Sequence, residues 1–194
     1  MVSSRAMRIF VLGVGAAGSL LTLFLLRQGH QVSCGDRDIE RARNFLGAKT
    51  SVRVSQVNAR DVWSIMKAAR GTQLLVNACP PVLNRTVIRA ALRLRRHYLD
   101  TASHYTSHPF RAEQMRFAPN FVDKRRTAVI TAGVAPGLTN LLIAAGADVL
   151  HSVTSVRVRL YEATDAEGPF SQWSGEALFD EGSGFDGSSI RGWQ

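Results

Sequence analysis

Near the start of this 194-residue chain, a strand-like run, a glycine-punctuated turn and an apolar helix follow one another without a break. Met7–Leu12 is a short, mostly apolar run of the kind found in strands buried on both faces. Gly13-Val14-Gly15-Ala16-Ala17-Gly18 comes next, and Ser19–Gln28 reads as a helix that Gly29 ends. The spacing has a physical rationale. Gly13 permits a tight turn, Gly15 lets the backbone approach a diphosphate, and Gly18 lets the helix pack close to the strand. Amides at the helix N-terminus then face the phosphates with the positive end of the helix dipole. Asp36 lies about 20 positions further on, at the end of a second strand, where its carboxylate is expected to accept the adenosine ribose hydroxyls. The implied ligand is NAD or NADP. Asp36 leans toward NAD because a carboxylate repels a 2′-phosphate, while the neighbouring Arg37 is placed to grip that phosphate or stack on adenine.

The uncharged run Ile9–Leu26, preceded by Arg5 and Arg8, also has the look of an export signal or a membrane span. Two features argue against both. No small-x-small cleavage site follows Leu26, and Gly13, Gly15 and Gly18 interrupt the run at the spacing just described. The expectation is a chain in the cytoplasm with no membrane partner.

The same alternation continues along the chain. Strands are expected at Gln31–Gly35, Ser51–Val57, Gln73–Asn77, His97–Asp100 and Thr127–Thr131. Helices are expected at Asp38–Leu46 with Asp38 as N-cap, at Asp61–Ala69, and at Val82–Arg95 with Leu83, Val87, Ile88 and Ala91 on one face. A further helix over Phe110–Lys124 is expected to kink at Pro119, and Pro136-Gly137 is expected to open one running to about Leu150. Repeated βαβ units with short connections predict an α/β fold, a Rossmann-type doubly wound parallel sheet. From about Ser152 the pattern changes. Ser155–Tyr161 alternates as a half-buried antiparallel strand would, and the remainder is polar, glycine-rich and acidic. Residues 1–150 are therefore expected to form the cofactor-binding domain. Residues 151–194 are expected to begin a second, incomplete α+β domain.

Charge divides the same way. Residues 1–126 carry a net +14 and residues 127–194 a net −5, within a chain total of +9. Such a basic half is able to attract phosphates or nucleic acid, but general surface charge plus a cofactor-phosphate field is the simpler reading, so no nucleic-acid partner is expected. Cys34 and Cys79 sit in no metal or redox spacing and are too few for a disulfide framework. No metal is expected.

In an open α/β sheet, ligands lie beyond the carboxyl ends of the strands. Asn58, after the third strand, is expected near adenine. Ala78, Cys79 and Pro80, after the fourth, are small or rigid enough for backbone to pass along the ribose and nicotinamide. Asp100-Thr101-Ala102-Ser103-His104-Tyr105 follows the fifth, near the reactive end, and Asp100 and Tyr105 are the acid–base candidates. Gly133–Asn140 follows the sixth, where a helix N-terminus is suited to a substrate carboxylate. No Tyr-x-x-x-Lys pair occurs after Tyr98, Tyr105 or Tyr161, so short-chain dehydrogenase chemistry has no candidate.

VLGVGAAG, SCGDRDIERA, LLVNACPPVLNRTVIRAALRLRRHYLDTA and AGVAPGLTNLLIA together resemble the saccharopine dehydrogenase-like oxidoreductases, over roughly residues 7–150. The most distinctive pieces are the Asn-Ala-x-Pro turn at Asn77, Tyr-Leu-Asp-Thr at Tyr98, and Gly-x-x-Pro-Gly-Leu-x-Asn from Gly133. SQWSGEALFDE resembles the family's Trp-Ser-Pro segment near the start of the substrate domain, with Gly175 where the family often has proline. The resemblance implies a nicotinamide cofactor, hydride transfer at a carbon–nitrogen centre of a small amino-acid-like substrate, and a homodimer in the full-length form. It also implies that Gly13, Gly15, Ala16, Ala17 and Gly18 contact phosphates, and that Asp36 and Arg37 meet the adenosine ribose. Ala78, Cys79 and Pro80 would line the cofactor, with Thr101 and Ala102 near its reactive end. The family's chains are longer than this one. A non-catalytic dinucleotide-binding sensor or scaffold module is the alternative.

Overall fold

A computed structural model describes residues 6–47, 50–103, 112–159 and 161. Six strands, β1 (Arg8–Leu12), β2 (Gln31–Asp36), β3 (Arg53–Gln56), β4 (Leu74–Asn77), β5 (His97–Asp100) and β6 (Ala128–Val129), form one sheet in the order β3-β2-β1-β4-β5-β6. Every neighbouring pair is parallel. This is the doubly wound order in which the chain reverses direction between β1 and β4, and a crevice opens beyond their carboxyl ends.

The helices are α1 (Ala16–Arg27), α2 (Ile39–Leu46), α3 (Val62–Ala68), α4 (Asn84–Leu94), α5 (Ala118–Asp123) and α6 (Leu138–Asp148). Two apolar layers sandwich the sheet. Phe10 and Leu12 of β1 join Leu75, Tyr98, Ile65, Val87, Ile88 and Phe121 in one. Ile9 and Val11 join Cys34, Val76, Ala42 and Leu46 in the other. Because side chains alternate along a strand, a run apolar at every position is what two covered faces require. Asp38 caps α2 by accepting from the Arg41 amide at 3.0 Å, as its position predicts. Asp61 caps α3 by accepting from Trp63 and Ser64.

Four expectations are corrected. Helix α1 begins at Ala16 rather than Ser19, since Gly15 itself is the N-cap and the alanines that follow suit a first turn. Over the described part of Phe110–Lys124, a 3-10 turn at Glu113–Phe117 precedes α5, and Pro119 sits in the first turn of α5 instead of kinking a longer helix. Pro136 does not occupy the first turn of α6. It follows a cis Ala135–Pro136 bond, Gly137 is the N-cap, and the Gly137 amide donates to Asn140 Oδ1 at 3.0 Å. The alternating segment from Ser155 forms no strand among its described residues, and Val156 and Val158 are exposed. A lone strand without a ladder partner leaves its backbone groups to water, so alternation alone does not create one. The apolar run Ile9–Leu26 divides between β1 and α1, and no helix of the described residues is long and apolar enough to cross a membrane.

Removing a cap tests the local account. Asp61→Ala, which leaves the first amides of α3 without a side-chain acceptor, is expected to destabilise the chain by about 1 kcal/mol in urea unfolding.

Candidate functional site

The turn after β1 is fixed from three sides. Gly13 adopts φ +89°, and its amide donates to the Gly35 carbonyl at 2.8 Å. A Cβ on Gly13 would lie 2.8 Å from the Ala78 carbonyl carbon and 2.9 Å from Cys79 Sγ, so the loop after β4 rests against the turn. A Cβ on Gly18 would strike the Gly13 carbonyl, which explains the third glycine of the motif. Gly15 differs from both, with nothing within 4 Å of the Cβ position. Ala16 and Ala17 are exposed beside it, and α1 has neither a capping side chain nor an acidic residue in its first turn. The first amides of a helix have no partner within the helix. Here they border open space, and that cradle fits a diphosphate, which backbone donors and the helix dipole would hold.

Asp36 stands on the same edge. Its Oδ2 accepts from the Val14 amide at 2.7 Å and its Oδ1 from the Asp38 amide at 3.0 Å, and the residue is only 6% exposed. The carboxylate is thus part of the turn's own framework. An ionised carboxylate offers about four acceptor positions, so two backbone amides leave capacity for a diol. Arg37 is exposed, and with Asp38, Ile39, Glu40 and Gln56 it lines an open depression of about 560 Å³ beside β2 and β3. Asn58 is exposed at the end of β3, and its Oδ1 accepts from the Arg60 amide at 3.0 Å, a turn that orients the loop.

A buried polar cluster lies beneath the ends of β4, β5 and β6. Asn77 Oδ1 accepts from the Cys79 amide at 3.1 Å. Asn77 Nδ2 donates to Asn84 Oδ1 at 2.7 Å and, at 3.4 Å, to the Tyr98 hydroxyl. Asn84 Nδ2 donates to the Ala102 carbonyl at 2.8 Å, and Gln114 Nε2 reaches the same carbonyl at 3.2 Å. Asp100 Oδ1 accepts from the Thr131 amide at 2.7 Å and Oδ2 from Gln114 Nε2 at 3.2 Å. A Cβ on Gly133 would lie 2.5 Å from the Thr101 carbonyl oxygen, so the loop after β6 packs on the loop after β5.

The acid–base candidate Asp100 is therefore fully buried, with both oxygens tied to internal donors. Burial pushes its carboxyl above the usual range, against the pull of the Thr131 amide, Tyr98 and Gln114. Burial likewise raises the Tyr98 hydroxyl well above its usual value, with the Asp100 charge adding to the effect. The arrangement suits holding a loop better than shuttling a proton to a ligand. Tyr105 and His104 lie outside the described residues. Pro80 leads into a 3-10 turn at Pro81–Leu83. Asn84 and Gln114 are not among the residues that the sequence reading singled out. Asn84 does stand on the same helical face as Val87, Ile88 and Ala91, where a polar residue in an apolar stripe is the signal of a buried partner.

The saccharopine dehydrogenase NADP binding domain family matches residues 9–129. Glycerol-3-phosphate dehydrogenase [NAD(P)+] of Hydrogenovibrio crunogenus is 32% identical over 106 residues, which is 54% of this chain and 31% of that protein. The structure of apo saccharopine dehydrogenase (L-Glu forming) from Saccharomyces cerevisiae superposes with a TM-score of 0.63 at 14% identity, covering 75% of this chain and 32% of that one. The chain thus spans about a third of the length of these two relatives.

Both thiols are expected to be weak nucleophiles at neutral pH, and Cys34 is buried as well. Desolvation pushes Cys79 up to about 12 and Cys34 to about 11, from an ordinary 9.0. A chromogenic disulfide reagent should leave the buried Cys34 unlabelled until urea unfolds the chain, and should label the partly exposed Cys79 more slowly than a free thiol. Because the folded state holds these protons longer, stability should fall as pH rises above 9.0.

Proposed function

The chain belongs to the saccharopine dehydrogenase NADP binding domain family, and from that premise we propose that it is the cofactor-binding part of an oxidoreductase acting at a carbon–nitrogen centre of an amino-acid-like substrate. Its cofactor class is NAD or NADP. The observation that carries the reading is the open cradle over Gly15, bordered by the uncapped start of α1 and by Asp36 on the same edge. When bound, the dinucleotide supplies the hydride chemistry, and the protein supplies binding, orientation and electrostatics.

In this reading Gly13, whose amide is already bonded to the Gly35 carbonyl, shapes the turn, and the other predicted cofactor residues meet the ligand. Amides from Gly15 to Gly18 hold the diphosphate. Asp36 accepts from the adenosine ribose, and Arg37 and Asn58 flank the adenine side. Ala78, Cys79 and Pro80 line the middle of the crevice, and Thr101 and Ala102 border its reactive end. Residues 1–150 form the cofactor domain and 151–194 begin the part that meets substrate. The exposed Leu138, Leu141 and Leu142 of α6 support the idea that further protein completes the enzyme. Carbon–nitrogen chemistry and a homodimeric full-length form rest on the family's likeness to saccharopine dehydrogenase. A sensor that binds dinucleotide without turnover is a second reading, favoured by the internal engagement of Asp100.

Calorimetric titration with NADH and NADPH tests the proposal. At least one should bind, and Gly15→Val should weaken it by about 100-fold, or about 2.7 kcal/mol, while costing only about 1 kcal/mol of stability for valine at an N-cap, because nothing lies within 4 Å of the new Cβ. Binding of neither dinucleotide would overturn the reading. Asp36→Asn should shift the affinity ratio toward NADPH by about tenfold, since it removes the charge that opposes a 2′-phosphate. Amine-dependent reduction of the dinucleotide by the full-length enzyme separates the catalytic reading from the sensor.

A further inference from the structure

Past the ends of β4 and β5 the sheet ladder stops, yet the peptide groups there still need partners. The Cys79 amide and the Ala102 carbonyl are two such groups, each in a loop that borders the crevice. Pairing the two loops directly would draw them together and close the space between them. Instead a relay of two side-chain amides joins them from below. The Cys79 amide donates to Asn77 Oδ1, Asn77 Nδ2 to Asn84 Oδ1, and Asn84 Nδ2 to the Ala102 carbonyl. Asn77 is 1% exposed and Asn84 is 2% exposed. The donor–acceptor sense runs one way throughout, and reversing either amide would set like groups against each other.

An apolar pair of similar shape would fill the same volume but leave the Cys79 amide without an acceptor, so the relay satisfies the loop backbone and ties the two loops to each other at the same time. We propose that Asn84 is a positioning residue that sets the separation of the loops after β4 and β5, and thereby the seat of the nicotinamide half of the cofactor, without touching the cofactor itself. This rests on the dinucleotide-binding reading above. The two halves of the site are built differently. The adenosine and diphosphate side is held by Asp36, Val14 and the glycine turn, none of which bonds to Asn84. The nicotinamide side, beyond β4 and β5, is spanned by the relay. Gln114 Nε2 shares the Ala102 carbonyl, so losing Asn84 loosens that anchor without orphaning it. A selective fault is therefore expected rather than general collapse.

The test compares the tighter-binding dinucleotide with its fragment lacking nicotinamide riboside, either ADP-ribose or its 2′-phosphate. For Asn84→Ala, the Kd of the dinucleotide should rise by about tenfold, while that of the fragment stays within about twofold. Asn84→Ser, which retains a hydroxyl donor, should show the same selective loss at about threefold, and it carries the test if the alanine variant does not fold. Equal weakening of both ligands, or no weakening of either, would overturn the positioning role. So would equal Kd values for dinucleotide and fragment in the unaltered chain. If the unaltered chain binds neither ligand, it is the dinucleotide reading that fails.

Discussion

The site depends on the grip that the end of β2 holds on the turn after β1. The Asp36 carboxylate accepts from Val14 at 2.7 Å, and the Gly35 carbonyl accepts from Gly13 at 2.8 Å. Hydrogen bonds to a charged acceptor are about twice as strong as neutral ones, and burial removes the water that would compete with them. With Gly13 so fixed, Ala78 and Cys79 have a surface to rest on, and α1 departs at one defined angle over the Gly13 carbonyl. Asp36 thus does two things at once. It completes the turn, and it presents its remaining acceptor capacity on the edge where a ribose would lie. A change at this residue acts on fold and ligand together.

Much of the glycine turn and its surroundings was legible in the sequence because its determinants are local. The glycine spacing, the acidic residue ending β2 and the Asp38 cap lie within one βαβ unit, and each has a steric or hydrogen-bonding cause readable from neighbours in the chain. The β1 run was equally plain, since only a strand covered on both faces needs apolar residues at consecutive positions. Misplaced boundaries have a shared origin. Pro119 and Pro136 were read by general helix preference, but tertiary packing put the first at the start of a shorter helix and the second before a cap made by Gly137 and Asn140. Ser155–Tyr161 shows the limit of periodicity, since a pattern names a face and supplies no partner.

The polar cluster at the ends of β4, β5 and β6 was less legible because it is assembled from distant positions. Asn84 meets a carbonyl 18 residues away, Gln114 meets Asp100 across 14, and Asp100 meets the Thr131 amide across 31. Sequence order alone gives no reason to pair these groups. Asp100 is a candidate by its strand-end position, and the structure ties both of its oxygens to neighbouring segments. A carboxylate at a strand end can face the crevice or bind the next loop, and the Thr131 and Gln114 donors decide for the second.

The arginine excess looks at first like a phosphate field, yet its placement points elsewhere. No basic side chain occupies the glycine turn or the first turn of α1, whose only basic residue is Arg27 in the last turn. Of the residues lining the depression beside β2, Arg37 is the single cation, and Asp38 and Glu40 line it too. Elsewhere arginines lie over aromatic rings, Arg41 on the exposed Phe45, Arg93 on the exposed Trp63 and Arg116 on the half-buried Phe117, where their stems shield apolar surface. In the proposed reading, the local recognition of a diphosphate would therefore fall to backbone amides and the α1 dipole, fixed in direction by the Asp36 grip. The +14 of residues 1–126 contributes a long-range attraction that salt screens within a Debye length. Geometry at the turn sets which ligand is held, and net charge sets how often an anionic one arrives.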